Sequence, residues 1–202
     1  MNRLTLPLLS LPMLSLCVLP VFALMTASGP AQLGAGLQHP QLLPALWLTL
    51  WTSSLSVCIA VILGTPLAWW LSRDRKLHGV LSALVEWPLV LPPAVTGLSL
   101  LLLFGADSWL GRGLSTINVQ LPFTSAAVVL AQLTVGAPYY VQSAAAALRT
   151  VSTESLEVAQ TLGASEMQQW RWVIIPQALA GMVSGAMLCW ARALGEFGAT
   201  LV

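Results

Sequence analysis

Arg192 and Glu196 stand four residues apart in the last apolar run of the chain. On a helix that spacing puts a guanidinium and a carboxylate on one face, where they either pair with each other or meet a passing ion. Glu86 lies inside another apolar run, six residues past Val80, about 9 Å along a helix at about 1.5 Å per residue. Other chemistries are poorly provided for. Ser184, in Gly181-Met182-Val183-Ser184-Gly185, would need a histidine to act as an intramembrane nucleophile, and His39 and His78 both fall in loops between apolar runs. Small residues in such a run serve close helix approach instead. Cys17, Cys58 and Cys189 are scattered without metal-ligand spacing, so no metal site is expected. The only lysine, Lys76, follows Arg75 and precedes Leu77, so no G-x-x-x-x-G-K-[ST] phosphate loop exists and ATP is not hydrolysed by these residues.

The polar chemistry is concentrated between Arg149 and Gln177. Leu148, Val151, Val158 and Leu162 recur at steps of three and four, with Ser155 in the same seam, which predicts one apolar helix face. Glu154 falls in the first turn, where a negative charge suits the helix dipole. Gly163 supplies a stop, and Ser165-Glu166-Met167-Gln168 has the Ser-x-x-Gln capping-box pattern of a new start. Trp170 and Trp172 return the chain to a membrane boundary, and Pro176 falls in the first turn or two of the helix that follows, where its missing N–H costs little. The segment reads as two short helices around a glycine turn. It is either a surface-lying connector or a docking handle for a soluble partner.

The elements that hold these residues follow from composition. Of 202 residues, 57% are hydrophobic and 7% charged, against about 25% charged in soluble domains. The expectation is an all-α, polytopic membrane protein. A net charge of +1 gives no basic field for nucleic acid. Five stretches supply the roughly 20 residues that a helical crossing needs: about Leu4–Ala27, Pro44–Leu71, Val80–Phe104, Phe123–Leu148, and Val173 into the 190s. The first is read as a retained helix and not a signal peptide, because its apolar run exceeds the roughly 7–15 residues of a signal core. Domains are expected at 1–43 and 44–202. With the N-terminus inside, the inner segments hold Arg3, Arg73, Arg75, Lys76, Arg149 and Arg171, and the outer segments hold Arg112 alone. The polar stretch is then cytoplasmic, and Ser28–Leu43 and Gly105–Pro122 are outer loops. Pro88, Pro92 and Pro93 must bend or break the third stretch. The result is either a packing kink or a cavity wall to which Thr96, Gly97 and Ser99 offer small or polar faces.

Three motifs together resemble a known family. Glu157-Val158-Ala159, Gly163 after three residues, and Val173-Ile174-Ile175-Pro176 after nine more resemble the EAA loop of ABC importer permeases. That loop reads EAA, three residues, G, nine residues, I-x-L-P, and this chain departs from it at Val158, Val173 and Ile175. The runs from Pro88 to Gly97 and from Ala191 to Thr200 are similar to segments of molybdate permeases; sulfate permeases typically carry Gly-Glu-Tyr-Gly where this chain has Gly195-Glu196-Phe197-Gly198. The resemblance covers roughly residues 44–202.

It implies the transmembrane-domain fold of a type I ABC importer, with five helices here and a C-terminal part beyond Val202. It also implies a bacterial inner-membrane subunit that moves an oxyanion, molybdate first, with sulfate, thiosulfate or tungstate as alternatives. The implied partners are a cytoplasmic ABC ATPase dimer holding ATP and Mg, an extracytoplasmic oxyanion-binding protein, the lipid bilayer and a second permease copy; no cofactor is bound by this chain. The loop at 149–172 becomes the coupling element, with Glu154, Glu157, Ala159, Gly163, Ala164 and Pro176 as its residues. Glu86, Pro92, Pro93, Thr96, Gly97, Arg192 and Glu196 are the candidates for a pathway or gate. An intramembrane hydrolase and a non-transporting scaffold are the readings from other classes.

Overall fold

Long apolar runs punctuated by proline, glycine and hydroxyl caps should fold as helices joined by short turns. The computed structural model describes residues 5–27, 29, 39–73, 78–118 and 120–195, and among these it contains helices and turns but no strand. In chain order the helices are α1 (Thr5–Ala27), α2 (Leu42–Arg73), α3 (His78–Val90), α4 (Pro93–Phe104), α5 (Trp109–Ser115), α6 (Ser125–Arg149), α7 (Thr153–Thr161) and α8 (Glu166–Leu194). Each of the five apolar stretches is therefore helical. Among the described residues, α2 and α8 are long and apolar enough to cross a membrane, and α3 with α4 makes a third crossing if that bent pair is one span.

One expectation is met and two are not. Of the bend or break expected in the third stretch, the break is found: α3 and α4 meet at 107° across Leu91 and Pro92. Pro92 cannot donate a backbone hydrogen bond and Pro93 starts α4 at its first turn, so the ladder stops and restarts. The segment expected as a loop at 105–122 contains α5, capped by the Ser108 hydroxyl, which accepts from Gly111 N at 2.8 Å. And α8 does not begin near Val173 but at Glu166, running 29 residues with a π turn over Trp170–Ile174. Within it the Ile175 N–H reaches back to the Trp170 carbonyl. The widened turn lies directly before Pro176, which could not bond the carbonyl four residues back and would crowd it.

The chain divides into two compact units, Met1–Trp47 and Leu48–Val202. In the second, α6 is the most enclosed helix. Its buried residues include Gln132, Tyr140, Ala144, Ala145 and Leu148, and it packs extensively against α8. A helix walled by protein need not carry the uniformly apolar surface of one that faces lipid, which is why α6, with its glutamines and tyrosines, falls outside the apolar spans.

Small residues set the spacing. A methyl at Gly185 would stand 2.7 Å from Ser143 Cβ, one at Gly64 2.9 Å from the Tyr140 ring, and one at Gly136 3.1 Å from Cys189 Sγ; at Gly181 it would strike Ala147 Cβ. The run around Ser184 is thus a close-approach surface, and the Ser184 hydroxyl bonds Ala180 O of its own helix. Hydroxyls complete the joint. Thr52, Ser53 and Ser56 are wholly buried. Ser56 Oγ lies 3.1 Å from both Val129 O and Gln132 Oε1, Trp190 Nε1 donates to Ser53 Oγ at 3.2 Å, and the Thr65 and Tyr140 hydroxyls meet at 2.6 Å. These bonds tie α2 to α6 and α8.

Candidate functional site

The polar stretch folds as an elbow. α6 ends at Arg149, and Ser152 caps α7 by accepting from Ser155 N at 3.3 Å. The Ser152 N–H itself donates to Gln177 Oε1 at 3.2 Å, which ties the start of α7 to α8. At the other end Gly163 takes φ +79°, the left-handed region that disfavours side chains. Its N–H bonds Gln160 O at 2.9 Å, and the Ala164 N–H bonds Ala159 O at 3.0 Å, the paired bonds of a Schellman stop. Ser165 follows without a spacer. Its hydroxyl accepts from Gln168 N at 3.4 Å while its own N–H donates to Gln168 Oε1 at 2.8 Å, a complete capping box. Gln169 Nε2 adds a bond to Ala164 O at 3.0 Å. Four successive N–H groups at this corner, those of Leu162, Gly163, Ala164 and Ser165, are hydrogen-bonded, which holds the turn at a defined angle.

The elbow is seated by its apolar side. Leu156, Val151 and Ile174 are buried, and Trp170 packs on Trp69 of α2 with ring centroids 4.7 Å apart at 53°. The expected seam is corrected here. Val151 and Leu148 are buried, but Val158 and Leu162 are 53% and 81% exposed, and the inward residue is Leu156. The turn at Thr150–Ser152 resets the helical phase, so a period counted from Leu148 does not carry into α7. The consequence is chemical: Val158, Leu162 and Met167 (76% exposed) form an uncovered apolar ridge on an otherwise polar segment, of the kind that marks a contact surface. Glu154 and Glu157 are also exposed, Ala159 and Ala164 half-buried, and Gly163 exposed. Pro176 stands exposed on α8, beyond the π turn.

The other candidate residues are brought together only in part. Glu86 on α3 accepts from Gln142 Nε2 of α6 at 2.8 Å, a polar pair between two otherwise apolar helices. Pro92 and Pro93 are exposed at the 107° break, whereas Thr96 and Gly97 point inward and are buried. Gly97 lines an apolar cavity of about 360 Å³ with Leu48, Leu101, Phe104 and Phe123. Arg192 is half-buried in the last turn of α8, which ends at Leu194. Glu196 lies outside the described residues. The buried hydroxyl seam of α2 went unread in the sequence; Thr52-Ser53 with Ser56 and Gln132, polar residues at helical spacing within apolar runs, was its available signal.

Comparison with known proteins gives a consistent picture. Residues 56–202 match the family model described as binding-protein-dependent transport system inner membrane component. The chain is 46% identical over 158 residues to the molybdenum transport system permease protein ModB of Mycobacterium tuberculosis, covering 78% of this chain and 60% of that protein. It is 39% identical over 162 residues to the ModB protein of Azotobacter vinelandii, covering 79% and 72%. It is 31% identical over 172 residues to the sulfate transport system permease protein CysT of Escherichia coli, covering 85% and 62%. The chain thus spans 60% of the length of its mycobacterial relative.

Proposed function

We propose, since this chain belongs to the family of binding-protein-dependent transport system inner membrane components, that it is the membrane permease subunit of an ABC importer for an oxyanion, molybdate. The observation that carries the substrate is the margin in identity, 46% to a molybdenum permease against 31% to a sulfate permease over comparable lengths. ATP and Mg are handled by a separate cytoplasmic ATPase dimer, and substrate is delivered by an external oxyanion-binding protein. The permease sits in a bacterial inner membrane as a homodimer with its N-terminus inside, and all five apolar stretches, the paired α3 and α4 included, contribute to the crossing.

In this reading the elbow from Arg149 to Trp172 is the part the ATPase grips. Exposed Glu154 and Glu157 and the ridge of Val158, Leu162 and Met167 form the contact, and the fixed angle at Gly163 and Ala164 passes its movement to α8. Glu86, Pro92, Pro93, Thr96, Gly97, Arg192 and Glu196 are assigned to the pathway or its gate. A wide, weak site suits a permease, because tight binding would slow release.

The deciding experiment is uptake of labelled molybdate into vesicles holding the assembled importer and its binding protein, in competition with tungstate and sulfate. Molybdate and tungstate should compete at similar concentrations and sulfate only in large excess. Preferential uptake of sulfate would overturn the substrate, and uptake that is indifferent to ATP would overturn the class.

A further inference from the structure

The two short-range helix starts of the elbow are capped differently. A helix begins with N–H groups that have no partner within it. At Ser165 both reciprocal bonds are local, because Gln168, three residues on, has the length to reach back. At Ser152 only half of that box is local. The Ser152 hydroxyl accepts from Ser155 N at 3.3 Å, but the residue in the third position is a serine, too short to return the bond as a Glu or Gln does. The acceptor for the Ser152 N–H is instead Gln177 Oε1, at 3.2 Å and 25 residues along the chain. The capping box of α7 is thus completed by α8. Gln177 follows Pro176 and the π turn over Trp170–Ile174. The extra residue in that turn rotates the helix beyond it by about 100° relative to a continuous α-helix, so the π turn sets the face on which Gln177 stands.

The geometry points to Gln177 as a positioning residue for coupling: its side chain straps the start of α7 to α8, so that the two helices turn together. The inference rests on the coupling role proposed for the elbow. At its far end α7 is joined to α8 by the chain itself, through the Gly163 corner, and a helix held at one end pivots about it. The bond to Gln177 holds the near end and closes a ring made of α7, the corner and the first turns of α8. Leu156 of α7 and Ile174 of α8 are buried in one core cluster. Apolar contact of that kind is non-directional, whereas the bond from Ser152 to Gln177 sets which way α7 points. A movement imposed on the exposed face of α7 then reaches α8 at two places, the corner and the strap.

The test uses the importer assembled with its ATPase and binding protein in vesicles. It reads labelled molybdate taken up per ATP hydrolysed, ATPase recovered with the permease, and permease in the membrane. Gln177→Met keeps the length of the side chain and removes the acceptor. A hydrogen bond of ordinary net strength corresponds to about fivefold in the population of the strapped state, so uptake per ATP should fall by about that factor while ATPase recovery and permease level hold. Gln177→Glu keeps an acceptor at the same place and should stay near the unaltered importer. Adding Ser155→Gln to Gln177→Met supplies the missing local half of the box. That restores the cap of α7 but not its tie to α8, so coupling should stay low. Undiminished uptake per ATP in Gln177→Met, an equal loss in Gln177→Glu, or recovery on adding Ser155→Gln each overturns the strap. So does a Gln177→Met permease missing from the membrane, which makes Gln177 a folding residue. Uptake indifferent to ATP in the unaltered importer would instead sink the transport reading itself.

Discussion

Replacing Gly163 tests whether the elbow works as a fixed angle. Its φ of +79° lies where an L side chain is strained, and no atom stands within 4 Å of a Cβ built there. Gly163→Ala therefore meets no steric obstacle and registers the backbone cost alone, about 1–2 kcal/mol. Asn, which visits this region more readily, should cost less. Gly163→Pro is different in kind. Proline holds φ near about −65° and has no N–H, so the 2.9 Å bond to Gln160 O is lost and the 3.0 Å bond from Ala164 to Ala159 O goes with the changed chain direction. At about 1 kcal/mol for each bond, added to the conformational term, the stop is disfavoured by roughly 3 kcal/mol, enough to remove it in most molecules. The assay is molybdate taken up per ATP hydrolysed in vesicles, with the amount of permease in the membrane measured in parallel. Coupling should fall in the order Gly, Asn, Ala, Pro, while permease levels stay constant because the glycine touches no part of the helix core. Wild-type uptake per ATP in the Pro variant would refute the fixed-angle reasoning; so would a series in which Asn is worse than Ala.

Two further outcomes separate docking from folding. Glu157→Lys, a charge reversal on an exposed face of α7, should weaken ATPase co-purification at moderate salt without lowering permease levels, as measured by pull-down; undiminished recovery would remove Glu157 from the contact. Gly185→Val should act in the opposite way: with Ser143 Cβ 2.7 Å and Tyr140 O 3.2 Å from the new Cβ, overpacking of about 1–3 kcal/mol should lower the thermal midpoint of the detergent-solubilised subunit, whereas Gly113→Ala, with nothing within 4 Å, should leave it unchanged or raise it.

Much of the elbow was legible because its signals are local. A serine three residues before a glutamine and a glycine at a helix end act through bonds that span only a few positions, so sequence order is enough to place them. The inward face of α7 was not legible, since phase is accumulated along a helix and a single non-helical turn at Thr150–Ser152 erases it. The start of α8 was missed for a related reason. Trp170 and Pro176 read as a boundary, but a π turn lets the helix continue past a proline that would otherwise end it. The hydroxyl seam of α2 was hidden by averaging: over a whole apolar helix a few Thr and Ser residues barely change hydropathy, yet their meaning depends on which neighbour they face. The α3–α4 break was half legible. Proline chemistry says that the ladder must fail at Pro92 and Pro93, but the 107° angle depends on what the two halves pack against.

Under the proposed coupling role, the same contacts would carry a pull on the exposed corner toward α6. Force travels only through parts that do not yield, and from the elbow to α6 each joint is bonded or close-packed. Gly163 and Ala164 are closed by the Schellman pair, Ser165 and Gln168 by reciprocal bonds, and Ser152 is held to Gln177. Beyond Pro176, α8 meets α6 through Gly181, Gly185 and Cys189, contacts too tight to absorb displacement by side-chain rearrangement. The compliant element lies elsewhere, at the proline break between α3 and α4. A movement imposed at Val158 and Leu162 should therefore carry α7, α8 and α6 largely as one body and be taken up where α3 and α4 meet. That places the change of shape beside Gly97 and its cavity, on the pair of helices whose carboxylate, Glu86, is held by Gln142 of the moving body.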